Sequence, residues 1–132
     1  MKALLDTHVL IWWLERSKKL PNSHRSALER AGPQNPVLIS DITLWEVAAL
    51  LELGRIKLKL PLREWLERAC APPLVQRCGI SPTVAAEVAA LPSHFHRDPA
   101  DRIIVATTRV FGATLLTCDK RILESRLVPT LS

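Results

Sequence analysis

The sequence predicts an α/β fold in which a central parallel β-sheet is covered by helices on both faces. Two observations carry that expectation. Short runs rich in apolar residues, such as KALL at 2–5, PVLI at 36–39 and ATLLT at 113–117, have the length of buried strands. These runs alternate along the chain with segments of helical pattern, the order from which parallel sheets are built. A length of 132 residues suits one domain, 1–132. A chain of this size buries roughly two-thirds of its unfolded surface, so it needs no disulfide or structural metal to fold.

The elements follow in order. KALL at 2–5 is a short strand that ends at Asp6, and HVLIWWLE at 8–15 is a helix, apolar on most of its surface. Asn22 is placed to cap a polar helix that Gly32 ends. PVLI at 36–39 is the second strand. Ser40 caps the apolar helix DITLWEVAALLEL, which Gly54 stops. IKLKL is short, alternating and extended, LREWLERA is an amphipathic helix, and LVQRC is a third strand. Ser81-Pro82 opens a helix that Pro92 ends, because Ser suits the cap and Pro the first turn. Asp98-Pro99 repeats the signal for ADRIIVATTRVF, which runs to Gly112. ATLLT is a strand, Asp119 opens a short helix, and VPTL is a last edge strand.

Composition narrows the class. The chain is 48% hydrophobic and 23% charged, which supports a packed core and excludes global disorder. Its net charge is +5, from 18 basic and 13 acidic residues. With four acids committed to a metal site, 18 basic residues face 9 acidic ones, a footprint suited to a polyanion such as RNA. The three cysteines, Cys70, Cys78 and Cys118, form no CxxC, and a reduced, cytoplasmic setting is expected. No signal-peptide pattern and no apolar run near ~18 residues is present, so no membrane association is expected.

The acids carry the chemistry. Ligands of an open parallel sheet bind outside the carboxyl ends of its strands. Asp6 directly follows the first strand, and Glu46 lies in the helix after the second. Asp101 lies in the first turn of the helix before ATLLT, and Asp119 follows that strand. Four acids distant in sequence are expected to converge. Two like charges ~4 Å apart cost on the order of 4 kcal/mol at an effective dielectric near 20. A bound hard cation compensates that repulsion, and oxygen-only donors suit Mg²⁺ or Mn²⁺. Such metals activate water and stabilise charge on a phosphoryl oxygen. Asp6, Asp98 and Asp119 each also stand where an N-cap belongs, and Asp98-x-x-Asp101 resembles a capping box. Glu46, inside an apolar helical segment, has no such role.

At these residues the chain resembles the PIN-domain proteins, specifically the VapC-type ribonuclease toxins. Four segments carry the resemblance: LLDTHVLIWWL at 4–14, SDITLWEVAALLELGRIKL at 40–58, HRDPADRIIVATT at 96–108 and LLTCDKRI at 115–122. They stand in the family's order and span nearly the whole chain. Asp6, Glu46, Asp101 and Asp119 match the family's metal-binding acids. The resemblance implies a PIN-like three-layer sandwich, Mg²⁺-dependent endonucleolytic cleavage of RNA, a VapB-type antitoxin as partner, and a homodimer. In the DPxDR motif the family often has a bulky apolar residue where this chain has Ala100, so local packing is expected to differ there.

Neighbouring residues have more than one reading. Thr7, Ser40 and Thr117 stand beside the acids, where orienting a carboxylate and capping an element fit equally. Arg102 is placed to contact phosphate or to pair with an acid. His94 and His96 form HxH, but no further Cys/His pair supports a closed zinc site. Trp12, Trp13, Trp45 and Trp65 are expected to pack in the core or between subunits rather than to stack on bases. Two other classes compete with the nuclease. One is a receiver-like Mg²⁺-binding signalling module, which needs a phosphoacceptor after the third strand, where LVQRC is followed by Gly-Ile-Ser-Pro. The other is a non-catalytic RNA- or antitoxin-binding PIN-like domain.

Overall fold

A computed structural model describes residues 1–132. It contains β1 (Ala3–Leu5), α1 (Thr7–Leu14), α2 (Asn22–Leu28), β2 (Val37–Ser40), α3 (Asp41–Glu52) and α4 (Leu62–Ala69). Then come β3 (Val75–Cys78), α5 (Pro82–Ala90), α6 (Pro99–Phe111), β4 (Thr114–Leu116), α7 (Lys120–Ser125) and β5 (Thr130–Leu131). The five strands are all parallel, in the order β3-β2-β1-β4-β5.

Side-chain alternation along the strands divides the core in two. Ala3, Leu5, Val37, Ile39 and Leu116 face Val9, Leu10, Leu28, Trp65 and Ala69, contributed by α1, α2 and α4. Leu4, Leu38 and Leu115 face Leu91, Phe95, Ile104, Val105 and Ile122, contributed by the α5–α7 half of the chain. Both sheet faces are thus covered, which is why the strands are apolar on both sides. α3 contributes Val47 to the first cluster and Ile42 to the margin of the second.

The sheet order decides where a site can form. From β1 the chain winds outward through β2 and β3, then returns to place β4 on the other side of β1. The strand order reverses between β1 and β4, and a crevice opens at the carboxyl edge of such a switch point. A receiver-like module has the order 2-1-3-4-5, so this topology removes that reading.

Three local expectations are corrected. Asn22 is the first residue of α2 rather than its cap, and Pro21 takes the cap position without a side-chain bond. The Asn22 amide oxygen instead accepts from Arg25 Nη1 at 2.8 Å. α2 ends at Leu28, and Gly32 belongs to a tight turn closed by backbone bonds with Asn35 at 3.2 and 2.9 Å. IKLKL joins no strand. Its alternation still packs Ile56, Leu58 and Leu60, each half-buried, against the core, while Lys59 N–H donates to Glu15 Oε1 at 3.2 Å.

The remaining ends form as expected. Ser40 Oγ accepts from Ile42 N–H, Ser81 Oγ from Val84 N–H and Asp98 Oδ1 from Asp101 N–H. Gly54 and Gly112 follow α3 and α6 with φ of +71° and +60°, the left-handed geometry that favours glycine after a helix. The three cysteines are free. No helix is long and apolar enough to cross a membrane.

Candidate active site

Helices that run antiparallel to a parallel sheet place their N-termini over its carboxyl edge, so β1, α1, α3, α6 and β4 all deliver residues to one place. A cavity of about 430 Å³ lies there. Five carboxylates line it: Asp6, Glu46, Asp98, Asp101 and Asp119. His8, Trp12, Cys118, Arg55 and Arg121 complete much of the wall. Ser40 and Thr117 are not among the lining residues.

Asp6 is the most constrained acid. Its backbone N–H donates to Leu116 O at 3.0 Å, pinning it against β4. Its Oδ1 accepts from Thr7 N–H at 2.8 Å and caps α1. Its Oδ2 accepts from Thr117 Oγ1 at 2.6 Å. Burial raises the Asp6 carboxyl above its ordinary range, against these lowering hydrogen bonds, and Asp119 adds to the rise. Asp6 is therefore both a cap and a member of the cavity.

Glu46 lies in the second turn of α3 and receives a short hydrogen bond from the Thr7 hydroxyl. The Thr7 oxygen also lies 3.3 Å from Thr43 Oγ1. Burial raises the Glu46 carboxyl, the Thr7 bond lowers it, and Asp6 and Asp98 raise it further. A single threonine thus couples the acid of α3 to the start of α1.

Asp101 sits in the first turn of α6, where the N-cap bond from Asp98 fixes its backbone. Its Oδ2 accepts from His96 Nε2–H at 2.7 Å. Burial raises its carboxyl to about 6 despite that bond, and Asp6, Asp98 and Asp119 contribute to the rise. Three acids from three separate elements are thus held with raised proton affinity around one cavity. Perturbed carboxylates gathered in a cleft make this cavity the candidate functional site.

Asp119 caps α7 through Arg121 N–H at 2.8 Å, and its own N–H donates to Thr117 Oγ1 at 3.0 Å. Thr117 consequently ties Asp6 to Asp119. Ser40 is fully buried as the cap of α3. Arg102 contacts no acid and is buried, so it serves neither of the roles expected for it. Its Nη1 donates to the carbonyls of Phe95 and His96 at 2.9 and 3.2 Å, which secures the segment carrying His96.

Two residues of this site were missed in the sequence. His96, one half of the HxH pair, is the hydrogen-bond partner of Asp101. The spacing in HRDPAD brings the two together, because Pro99 starts the helix between them. Arg121 stands within 4 Å of two acids, at 3.7 Å from Asp101 Oδ2 and 3.5 Å from Asp119 Oδ2. Among the tryptophans, Trp65 is buried in the core, whereas Trp45 is 62% exposed on the single chain, which leaves packing between subunits as the expected role for it. Ala100 is buried in the wall of an apolar depression of about 200 Å³ that Trp45, Leu50 and Pro99 also line.

The acids do not close into a tight cage. No group of three His, Cys, Asp or Glu side chains stands at the spacing that holds a metal ion. Thr7, Thr117, His96 and Arg121 each draw a carboxylate oxygen toward themselves. The donors that face the cavity are nevertheless carboxylate oxygens, the chemistry that hard divalent cations take.

Comparison with known proteins agrees with this architecture. A model of the PIN domain matches residues 3–126. The chain is 39% identical over 124 residues to Ribonuclease VapC22 from Mycobacterium tuberculosis, across 94% of this chain and 92% of that protein. Among solved structures, VapBC2 from Rickettsia felis, bound to a DNA fragment from its promoter, shares the fold at a TM-score of 0.72. Identity there is 18%, and the match covers 99% of this chain and 98% of the other. A toxin–antitoxin complex from Klebsiella pneumoniae matches at a TM-score of 0.64 and 25% identity, over 99% and 97% of the two chains.

Proposed function

Because the chain belongs to the PIN-domain family, we propose that it is a metal-dependent endoribonuclease and the toxin of a VapBC-type toxin–antitoxin pair. One observation carries the catalytic half of this reading. Five carboxylates line one cavity at the switch point, and three of them have raised proton affinity. The similarity to a named ribonuclease over 94% of the chain supports RNA as the substrate. Excess basic charge outside the site suits a polyanion.

In this reading Asp6, Glu46, Asp101 and Asp119 hold Mg²⁺, or Mn²⁺ in its place. A cation bound there lowers the pKa of water and stabilises charge developing on a phosphoryl oxygen. The chain's own residues do the positioning. Thr7 and Thr117 commit their hydroxyl protons to Glu46 and Asp6 and so fix which carboxylate oxygens remain free. His96 does the same for Asp101. Asp98 fixes the first turn of α6. Neither Thr7 nor Thr117 lines the cavity, and both hydroxyls are engaged in orienting carboxylates, so this reading takes water as the attacking group.

The partner half rests on the relatives. The similar solved structures include toxin–antitoxin complexes, which supports a VapB-type antitoxin for this chain. Exposed Trp45 and Leu53, both at the α3 face, support a homodimer that buries them. The proposed site of action is the cytoplasm, where RNA and antitoxin are found together. The matched family model spans 3–126, and 1–132 is read as one functional unit.

Incubation with total RNA, with and without Mg²⁺, followed by sequencing of the new ends, tests the catalytic reading. New ends at defined positions are expected only with Mg²⁺ or Mn²⁺. Full cleavage in excess chelator would refute the metal, and intact RNA under every divalent cation would refute the nuclease. A monodisperse monomer at high micromolar concentration, without antitoxin, would refute the homodimer.

A further inference from the structure

The position of Arg121 relative to the acids is unlike that of the other paired arginines. Arg63, Arg68, Arg77 and Arg109 each pair with a single acid, at 4.0, 3.3, 2.8 and 2.9 Å. Arg121 instead lies between two acids of the cavity, at 3.5 Å from Asp119 and 3.7 Å from Asp101, while 61% of its side chain is exposed. Charge-assisted hydrogen bonds of this type are tightest near ~2.7–2.9 Å. Exposed pairs at longer distance hold weakly. The guanidinium is thus attracted to the acid cluster without being locked to it. A second arginine, Arg55, lines the same cavity from the segment after α3.

We propose that Arg121 is a displaceable internal counter-ion that competes with a divalent cation for Asp101 and Asp119 and, once released, binds a phosphate of the RNA beside the cleaved bond. The proposal rests on the nuclease reading for its second half only. Asp101 and Asp119 repel each other, and a guanidinium on the cavity rim offsets that repulsion from within the chain. A divalent cation carries twice the charge and enters closer to the oxygens, so it displaces the guanidinium. The fork of five N–H donors is then left on the rim of a cavity whose ligand carries phosphate groups. An arginine fork matches phosphate oxygens in pairs, which a lysine does not. The short backbone tether assists, because Arg121 N–H already donates to Asp119 Oδ1 and keeps the residue in place while its side chain swings.

The test compares Arg121→Ala and Arg121→Lys with the unmodified full chain, each first shown to melt cooperatively. Mn²⁺ is titrated by calorimetry in the absence of RNA, and cleavage of a short RNA is then measured at saturating Mg²⁺. Arg121→Ala is expected to bind Mn²⁺ about three- to tenfold more tightly, because its competitor is gone. The same variant is expected to raise KM for RNA about tenfold with a smaller change in kcat. Arg121→Lys is expected to restore the Mn²⁺ affinity toward that of the native chain but not the KM. Unchanged or weaker Mn²⁺ binding by Arg121→Ala would overturn the counter-ion role. Tighter Mn²⁺ binding with unchanged KM would overturn the phosphate role. If the native chain cleaves no RNA, the nuclease reading and the phosphate role fall together, while the Mn²⁺ titration still decides the competition.

Discussion

At the scale of single residues, the helix cap Asp98 stands beside Asp101, the proposed ligand. Asp98 Oδ1 receives the Asp101 N–H at 3.1 Å, and Pro99 follows as the first helical residue. Asp98→Ala is expected to cost about 1 kcal/mol of stability, as loss of a cap does, and to lower activity only in part. Asp101→Asn is expected to reduce cleavage by orders of magnitude while leaving the metal-free protein as stable or more so. Inactive but fully stable Asp98→Ala, beside active Asp101→Asn, would reverse the two roles. The Asp101 carboxyl, raised from 3.8 to about 6 chiefly by burial, also predicts a pH dependence. A group with a raised folded-state pKa contributes stability that is complete below its unfolded value and is lost as pH rises through the folded one. Metal-free protein is therefore expected to lose on the order of 1–3 kcal/mol between about pH 4 and pH 7 that Asp101→Asn does not lose. Denaturant melts across that range check it, and parallel curves for the two proteins would remove Asp101 as the cause.

At the scale of elements, α6 organises the site from two sides of its first turn. Asp101 faces the cavity, and the next residue, Arg102, turns the other way to hold the segment before the helix. The guanidinium lies 5.8 Å from the Phe95 ring centroid and donates to two carbonyls. Arg102→Ala leaves those carbonyls without their partner and is expected to cost about 2–3 kcal/mol, the scale of hydrogen bonds to a charged group. It is also expected to weaken cleavage, because His96 loses its support. Arg102→Lys is expected to recover only part of the stability, since one ammonium does not reproduce the fork and its packing on Phe95. Full stability of Arg102→Ala in urea would show that the loop is held by other contacts. α1 and α3 are joined in a comparable way, through the Thr7 hydroxyl and Glu46. Thr7→Val keeps the shape of the side chain and removes that bond, so it is expected to lower metal affinity with little change in fold. Unchanged metal affinity in a calorimetric titration would leave Thr7 a purely structural residue.

At the scale of the whole molecule, gathering carboxylates at one cavity costs the folded chain stability, and on the proposed reading a bound cation would restore it. A ligand that binds the native state alone raises stability by about 2.7 kcal/mol at a concentration one hundred times its dissociation constant. Mg²⁺ and Mn²⁺ are therefore expected to raise the melting temperature by several degrees, and Asp101→Asn is expected to lose most of that gain. Equal shifts in the two proteins would place the stabilising cation elsewhere. Basic charge distributed outside the cavity predicts that RNA affinity falls steeply with salt, through release of counter-ions from the backbone.

The sequence by itself determined the strands, the main helices and the acids. Caps such as Asp6, Ser40, Ser81, Asp98 and Asp119 act on their immediate neighbours, and the apolar strands bury both faces, so these are local properties of the chain. Where local rules failed, a neighbouring residue or contact took the position: Pro21 stands at the cap where Asn22 was expected, and Gly32 belongs to a turn with Asn35. IKLKL shows the limit of periodicity, since its apolar residues pack inward without any strand to pair with. The placement of β4 beside β1, and hence the meeting of Asp6, Asp101 and Asp119, was anticipated from strand ends but decided by the sheet order. His96 meets Asp101 through the local geometry of HRDPAD, but only the tertiary structure gave Thr7 to Glu46, Thr117 to Asp6 and Arg121 to Asp101 as well as to its neighbour Asp119. Those pairings depend on side-chain direction and on the packing of separate helices over one sheet edge. A pattern of residue types records which groups can bond, whereas the folded geometry selects which of them do.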